Sequence, residues 1–177
     1  RDMSRGVNHQ NCFAPGPAQT DGEASNPGPS TLSFTNCTAM SSQRDHVLEL
    51  DTDVIGAAET RLTQSGQRLM DTFLHKHGCK AVWGAPCIRK RFDSRVKPGG
   101  VAVLVRADMR ARKVPLRTER GRAFYDQGRL LHVAVHLGDR LVHILVVYGL
   151  TNAGKDPQQR APNEELLAEA FQIAQLL

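Results

Sequence analysis

A mixed α/β (α+β) domain is what this sequence predicts, and three observations predict it. Short apolar runs of strand length stand at residues 54–59 and 101–105, an apolar stripe of helical spacing covers 65–77, and two β-rich runs flank Gly138 and Asp139 as a hairpin. The 177 residues suit one domain with a proper core, and 40% hydrophobic against 23% charged residues is a globular balance. No apolar run approaches the roughly 20 residues of a bilayer-spanning helix. The first residues carry no apolar signal-peptide region, and the chain opens on Arg1, which predicts a start further upstream.

Residues 1–30 are rich in Gly, Pro, Ala, Asn and Gln with Phe13 as their one aromatic, so they read as a disordered leader. Within it, Asp21 to Pro29 is similar to the ending of ribosome-skipping peptides, with one extra residue between Glu23 and Asn26; a Pro/Gly linker is the plainer reading. Regular structure begins at Thr31. Residues 31–36 alternate, with Leu32, Phe34 and Asn36 on one face, as in a half-buried strand. Ser41 or Ser42 can cap a short helix through Leu50. A small-residue strand from Val54 to Glu59 follows, in which Ile55, Ala57 and Glu59 point together.

The helix over 65–77 carries Leu69, Met70, Phe73 and Leu74 on its stripe and stops at Gly78. Gly99 and Gly100 precede the buried run from Val101 to Val105, and paired glycines there suggest a close approach of backbones. In the hairpin, Leu131, Val133, Val135 and Leu137 form the apolar face of the first strand, which places His132 and His136 on the other, exposed side. Asn163 caps a final helix, with Glu164 and Glu165 in its first turn and Leu166, Leu167, Ala170, Phe171, Ile173, Ala174 and Leu177 on its apolar side. The chain ends within that stripe, which predicts further sequence beyond it.

Charge and thiols narrow the function. The formal net charge is +5, and between Arg89 and Arg122 twelve Lys or Arg stand against three acids. Such a field suits a polyanion, and a solvated loop is the alternative. Cys12, Cys37, Cys79 and Cys87 form no CxxC pair, which predicts a reducing, intracellular setting, the nucleus included. His75, His77, Cys79 and Cys87 are metal-ligand types, but their spacing matches no common zinc pattern.

The chemistry rests on an ordered set of residues. Asn36 closes the first strand; Glu59 follows the run from Asp53 and precedes Thr60, Arg61 and Leu62; Gly99 and Gly100 open a valine-rich strand; Tyr148 closes another and precedes Gly149. This succession resembles the endonuclease/exonuclease/phosphatase superfamily, over residues 31–177, the N-terminal part of the family domain. The resemblance implies a four-layer α/β-sandwich of mixed sheets flanked by helices. It implies that Asn36 and Glu59 bind Mg2+ (or Mn2+) and that Tyr148 faces the scissile phosphate, making these three the candidate catalytic residues. The proline usual after the tyrosine is replaced by Leu150 and Thr151, with Asn152 next.

A magnesium ion suits such a set, since it prefers oxygen ligands, keeps several waters and neutralises phosphoryl charge. Each residue also has a plain reading: Glu59 as a surface acid, Asn36 as a turn starter, Tyr148 as a core aromatic with a wet tip. The family's later Asp-x-Asn and Ser-Asp-His motifs are missing from these 177 residues, so this polypeptide alone is expected to have little hydrolytic activity. The implied parent is a DNA endonuclease, such as that of a non-LTR retrotransposon polyprotein, with Arg89, Lys90, Arg91, Arg95 and Lys97 on the DNA backbone. Two alternatives stay open: a truncated, inactive nucleic-acid-binding remnant, and a phosphatase of the same fold acting on a lipid or small molecule.

Overall fold

The computed structural model describes residues 30–88, 99–150 and 154–177. The expected leader up to residue 29, the basic residues Arg89, Lys90, Arg91, Arg95 and Lys97, and Thr151 and Asn152 lie outside the described residues. In chain order the elements are β1 (Leu32–Asn36), α1 (Met40–Leu48), β2 (Val54–Ala58), α2 (Gln64–Lys76), β3 (Cys79–Trp83), β4 (Val101–Arg106), β5 (Ala111–Lys113), α3 (Glu119–Asp126), β6 (Leu130–Leu137), β7 (Arg140–Val147) and α4 (Pro157–Gln175).

The strands form two sheets, one of order β1-β2-β4-β3 and one of order β5-β6-β7. In the first, β1 and β2 run parallel and the remaining pairs are antiparallel; the second is antiparallel throughout. Strand alternation sorts the apolar side chains into layers. Ile55, Ala57, Ala102 and Leu104 face Met40 and Val47 of α1 and Met70 and Leu74 of α2. Their neighbours Val54, Val101, Val103 and Val105 face the second sheet, where Leu131, Val133, Val135 and Val146 meet them. On that sheet's outer side Leu130 packs with Phe124 of α3 and with Leu166 and Ala170 of α4. The order is helices, sheet, sheet, helices: the four-layer sandwich. It explains why β4 is apolar at five successive positions, being covered on both faces.

Several local readings hold. The β6–β7 hairpin turns at Gly138, φ 57, with Leu137 opposite Arg140. Helix α2 is capped by Thr63, whose Oγ1 accepts from Gly66 N, and stops before Gly78 at φ 72.

Others are corrected by packing. Leu32 and Phe34 are 62% and 61% exposed, because β1 is an edge strand and the narrower second sheet ends with β7 over β2. Phe34 instead leans across Gly56, where a Cβ would come within 2.7 Å of its ring. Helix α1 starts at Met40 and ends at Leu48, with Ser41 and Ser42 inside it and no side-chain cap. Leu69 is exposed, Met70 and Leu74 taking the buried side of α2.

His132 is buried at 4% exposure, since α3 and α4 cover the outer face of β6; His136, beyond their reach, is exposed as expected. Helix α4 begins at Pro157, capped by Asp156, so Asn163 is not its N-cap. The Asn163 Oδ1 accepts from Leu150 N at 2.9 Å and ties the end of β7 to the helix. Of the expected α4 stripe, Leu166 and Ala170 are buried while Leu167 and Phe171 remain exposed.

Candidate active site

At one end of the first sheet, β1 and β2 finish side by side. Asn36 is in register with Ala58, Cys37 N donates to Ala58 O at 2.9 Å, and Met40 N donates to Thr60 O at 3.1 Å. Two loops, 37–40 and 59–61, are thereby stitched together beyond the carboxyl ends of parallel strands, the place where α/β sheets commonly bind ligands.

Glu59 stands one residue past β2, buried at 8% exposure, with φ 58. That left-handed backbone ends the regular strand at Ala58. Its carboxylate accepts from the Arg61 guanidinium, and Arg61 has φ 52. In the facing loop Thr38 has φ 46 and Ala39 φ 136. Every non-glycine residue with positive φ among the described residues therefore lies in these two loops. Each such residue costs about 1–3 kcal/mol, and strain of that kind collects at functional sites. Two buried side-chain polar atoms among the described residues lack a partner, Thr60 Oγ1 and Arg61 Nε, and both are here. Asn36 is exposed, its Oδ1 accepting from Thr38 N at 3.2 Å.

A chain of backbone bonds carries this end across to the second sheet. Thr60 N donates to Gly100 O and Arg61 N to Gly99 O, each at 3.0 Å; Gly100 N donates to Gly128 O at 2.9 Å; and Tyr148 N donates to Arg129 O at 2.8 Å. Gly100 has φ 87 and Gly128 φ 68, and a Cβ on Gly100 would stand 2.4 Å from Thr60 Oγ1. This is the close approach that the paired glycines suggest. It brings half-buried Tyr148 to the same end of the sandwich as Asn36 and Glu59. Arg129 lies over the Tyr148 ring, 4.6 Å from its centroid, and donates to Gly149 O at 2.7 Å.

Thiols report the local field. Burial first, and the Glu59 carboxylate second, push the Cys37 thiol up to about 11. Burial also raises the Cys87 thiol, while Arg129 and then Arg61 pull it back down, so both guanidiniums stand near Cys87. Arg61 and Arg129 are thus two cations of this end among the described residues. Arg61 is legible beside Glu59 in the sequence. Arg129 is not, since only pairing of its carbonyl with Tyr148 shows where it goes.

The donor set fits a hard cation. Asn36 could supply an amide oxygen and Glu59 a carboxylate from adjacent strand ends, and magnesium is held by one or two carboxylates with waters completing its shell. Arg61 already neutralises Glu59, so a cation would take that carboxylate in competition with the guanidinium. No group of three or more His, Cys, Asp or Glu gathers among the described residues.

No protein-family model and no curated protein sequence matches the chain. Solved structures match its fold. A 3'-5' exonuclease (NExo) from Neisseria meningitidis superposes with a TM-score of 0.51 at 16% identity, covering 82% of this chain and 52% of that one. A variant of the 3' phosphatase NExo from Neisseria, bound to product DNA hairpin, gives 0.52 at 17% identity, covering 82% and 52%. The Xenopus laevis APE2 catalytic domain gives 0.50 at 16% identity, covering 78% and 51%. The chain spans about half the length of these structures. Its two stacked sheets with flanking helices are the mixed α/β fold of the endonuclease/exonuclease/phosphatase type.

Proposed function

We propose that this chain carries the metal- and phosphate-binding half of a magnesium-dependent phosphodiesterase acting on DNA. The observation that supports this most is the convergence of Asn36, Glu59 and Tyr148 on one strained end of the sandwich, through the bonds running from Thr60 to Gly100, Gly128 and Arg129. Glu59 and Asn36 would hold Mg2+ (or Mn2+). When bound, such an ion neutralises phosphoryl charge and orients the attacking water. Tyr148 donates its hydroxyl to a phosphate oxygen. Arg129, held over the tyrosine ring, fixes that ring's direction and adds positive charge beside the phosphate. The excess of cations from Arg89 to Arg122 supplies the salt-sensitive attraction to a DNA backbone. A solved structure of the same fold bound to a product DNA hairpin supports this choice of substrate class. We further place the chain in an intracellular setting, the nucleus included, as a piece of a larger, retrotransposon-type endonuclease.

Metal binding tests this without requiring turnover. Mn2+ titration of the chain, followed by electron paramagnetic resonance, is expected to show one site that Glu59→Gln weakens at least about tenfold, the usual effect of losing a charged ligand contact. Equal binding by the two proteins would remove Glu59 from the metal. Plasmid DNA and inositol phosphates, offered to a longer chain in magnesium, separate the nuclease from a phosphatase of this fold.

A further inference from the structure

A second site stands apart from the Glu59 end, on the outer face of the second sheet beneath α4. A cavity of about 340 Å3 opens there between β5, the 114–118 segment, the hairpin and the last turns of α4. That is at the small end of the roughly 300–1,000 Å3 usual for ligand sites. Its floor is not an apolar core surface. His132 Nε2 and His143 Nδ1 are bonded at 2.8 Å, and His132 is only 4% exposed. Glu169, 3% exposed, accepts from Thr118 Oγ1 at the edge of the same cavity.

Arg112 and Arg117 line the cavity from its exposed rim, and neither has an acidic partner among the described residues. Val114, Pro115, Ile173 and Leu176 supply the apolar wall. A second cavity of about 230 Å3 shares Val114, Pro115, Leu116 and His132, so the hollow runs past both sides of this segment.

From these groups we infer that the hollow is a binding site for a compact organic anion, an apolar body of aromatic size bearing one carboxylate. The apolar wall takes the body. Among the charged side chains of the lining, two guanidiniums stand against one carboxylate, and a charge-assisted bond to the anion forms at the mouth. One imidazole donates to the other in the His132–His143 bond, so in the neutral pair the outer nitrogen of the accepting ring carries a hydrogen and can donate it to the ligand. A metal ion is the poorer occupant, because the two imidazoles bond to each other and no third ligand of metal-binding type joins them among the described residues. The site stands independently of the phosphodiesterase reading, since none of its lining residues belongs to the Asn36, Glu59 and Tyr148 end.

Calorimetric titration with naphthoate tests it, with neutral naphthamide as the matched probe. Naphthoate is expected to bind the chain, and naphthamide to bind at least about tenfold more weakly, the worth of one charge-assisted bond. Arg112→Glu with Arg117→Glu, both on exposed side chains and therefore tolerated by the fold, is expected to cost naphthoate a similar factor and naphthamide little. Added Mg2+ is expected to leave naphthoate binding unchanged. Absence of naphthoate binding, equal binding of the two probes, or indifference to the charge reversal would each overturn the site. A strong response to Mg2+ would move the anion to the Glu59 end and overturn it as well.

Discussion

Replacing Gly100 with alanine strikes the joint between the two sheets. The residue holds φ 87, where an L side chain costs about 1–2 kcal/mol. Its new Cβ would stand 2.4 Å from Thr60 Oγ1 and 3.3 Å from both Arg61 N and Cys87 Sγ. Relief of that contact displaces the 59–61 loop and endangers the Thr60 N to Gly100 O bond, worth about 1 kcal/mol net. Together these predict a loss of about 2–4 kcal/mol. Urea unfolding followed by the fluorescence of Trp83, the single tryptophan, measures it. Gly154→Ala is the control: nothing lies within 4 Å of its position and its φ is ordinary, so a change within about 0.5 kcal/mol is expected. Because the same loop carries Glu59, Gly100→Ala is also expected to weaken Mn2+ binding. A Gly100→Ala protein as stable as the parent would refute the close-approach argument and with it the account of how Tyr148 is brought to Glu59.

Three more outcomes follow from buried groups. Glu169→Ala removes the acceptor of the Thr118 hydroxyl at the start of α3, and a loss of about 1–3 kcal/mol in the same urea assay is expected; an unchanged midpoint would show that α3 does not depend on it. His132 is held below its ordinary pKa by burial first and by His143 second. The unfolded chain therefore takes up the proton before the folded one, so this group's stability is fully present above about pH 6.5 and declines as the pH falls below it. Unfolding midpoints between pH 8 and 5 should fall more steeply for the parent than for His132→Gln, and parallel curves would contradict this. Cys37, 1% exposed and raised to about 11, should resist iodoacetamide at pH 8 in the folded chain and react on unfolding, as peptide mass spectrometry would report. Rapid native labelling would show that its loop opens.

How much of this was legible in the residues depends on the range of the forces that place them. The run 101–105, the stripe of α2 and the hairpin about Gly138 are local patterns, written in the periodicity of a few neighbours, and they stand where that periodicity puts them. β3, β5 and α3 carry no such pattern strongly enough to be read. The start of α4 is misread in the same local way: Asn163 with Glu164 and Glu165 after it reads as a cap and first turn, yet all three lie inside a helix that begins at Pro157. His132 shows the same limit from the other side, since alternation assigns it a face and only the helices packed there decide that the face is buried.

The sequence by itself determined the fold class, the types of the strongly patterned elements and the residues proposed for a cation and a phosphate: Asn36 and Glu59 near strand ends and Tyr148 after the hairpin. The tertiary structure decided how the segments that carry them are joined. Left-handed turns at Thr38, Ala39, Glu59 and Arg61, and glycines that let Thr60, Gly100 and Gly128 bond backbone to backbone, bring segments distant in sequence to one end of the sandwich. It also decided that, among the described residues, Arg61 and Arg129 stand there together, because charge acts through space and takes no account of separation along the chain.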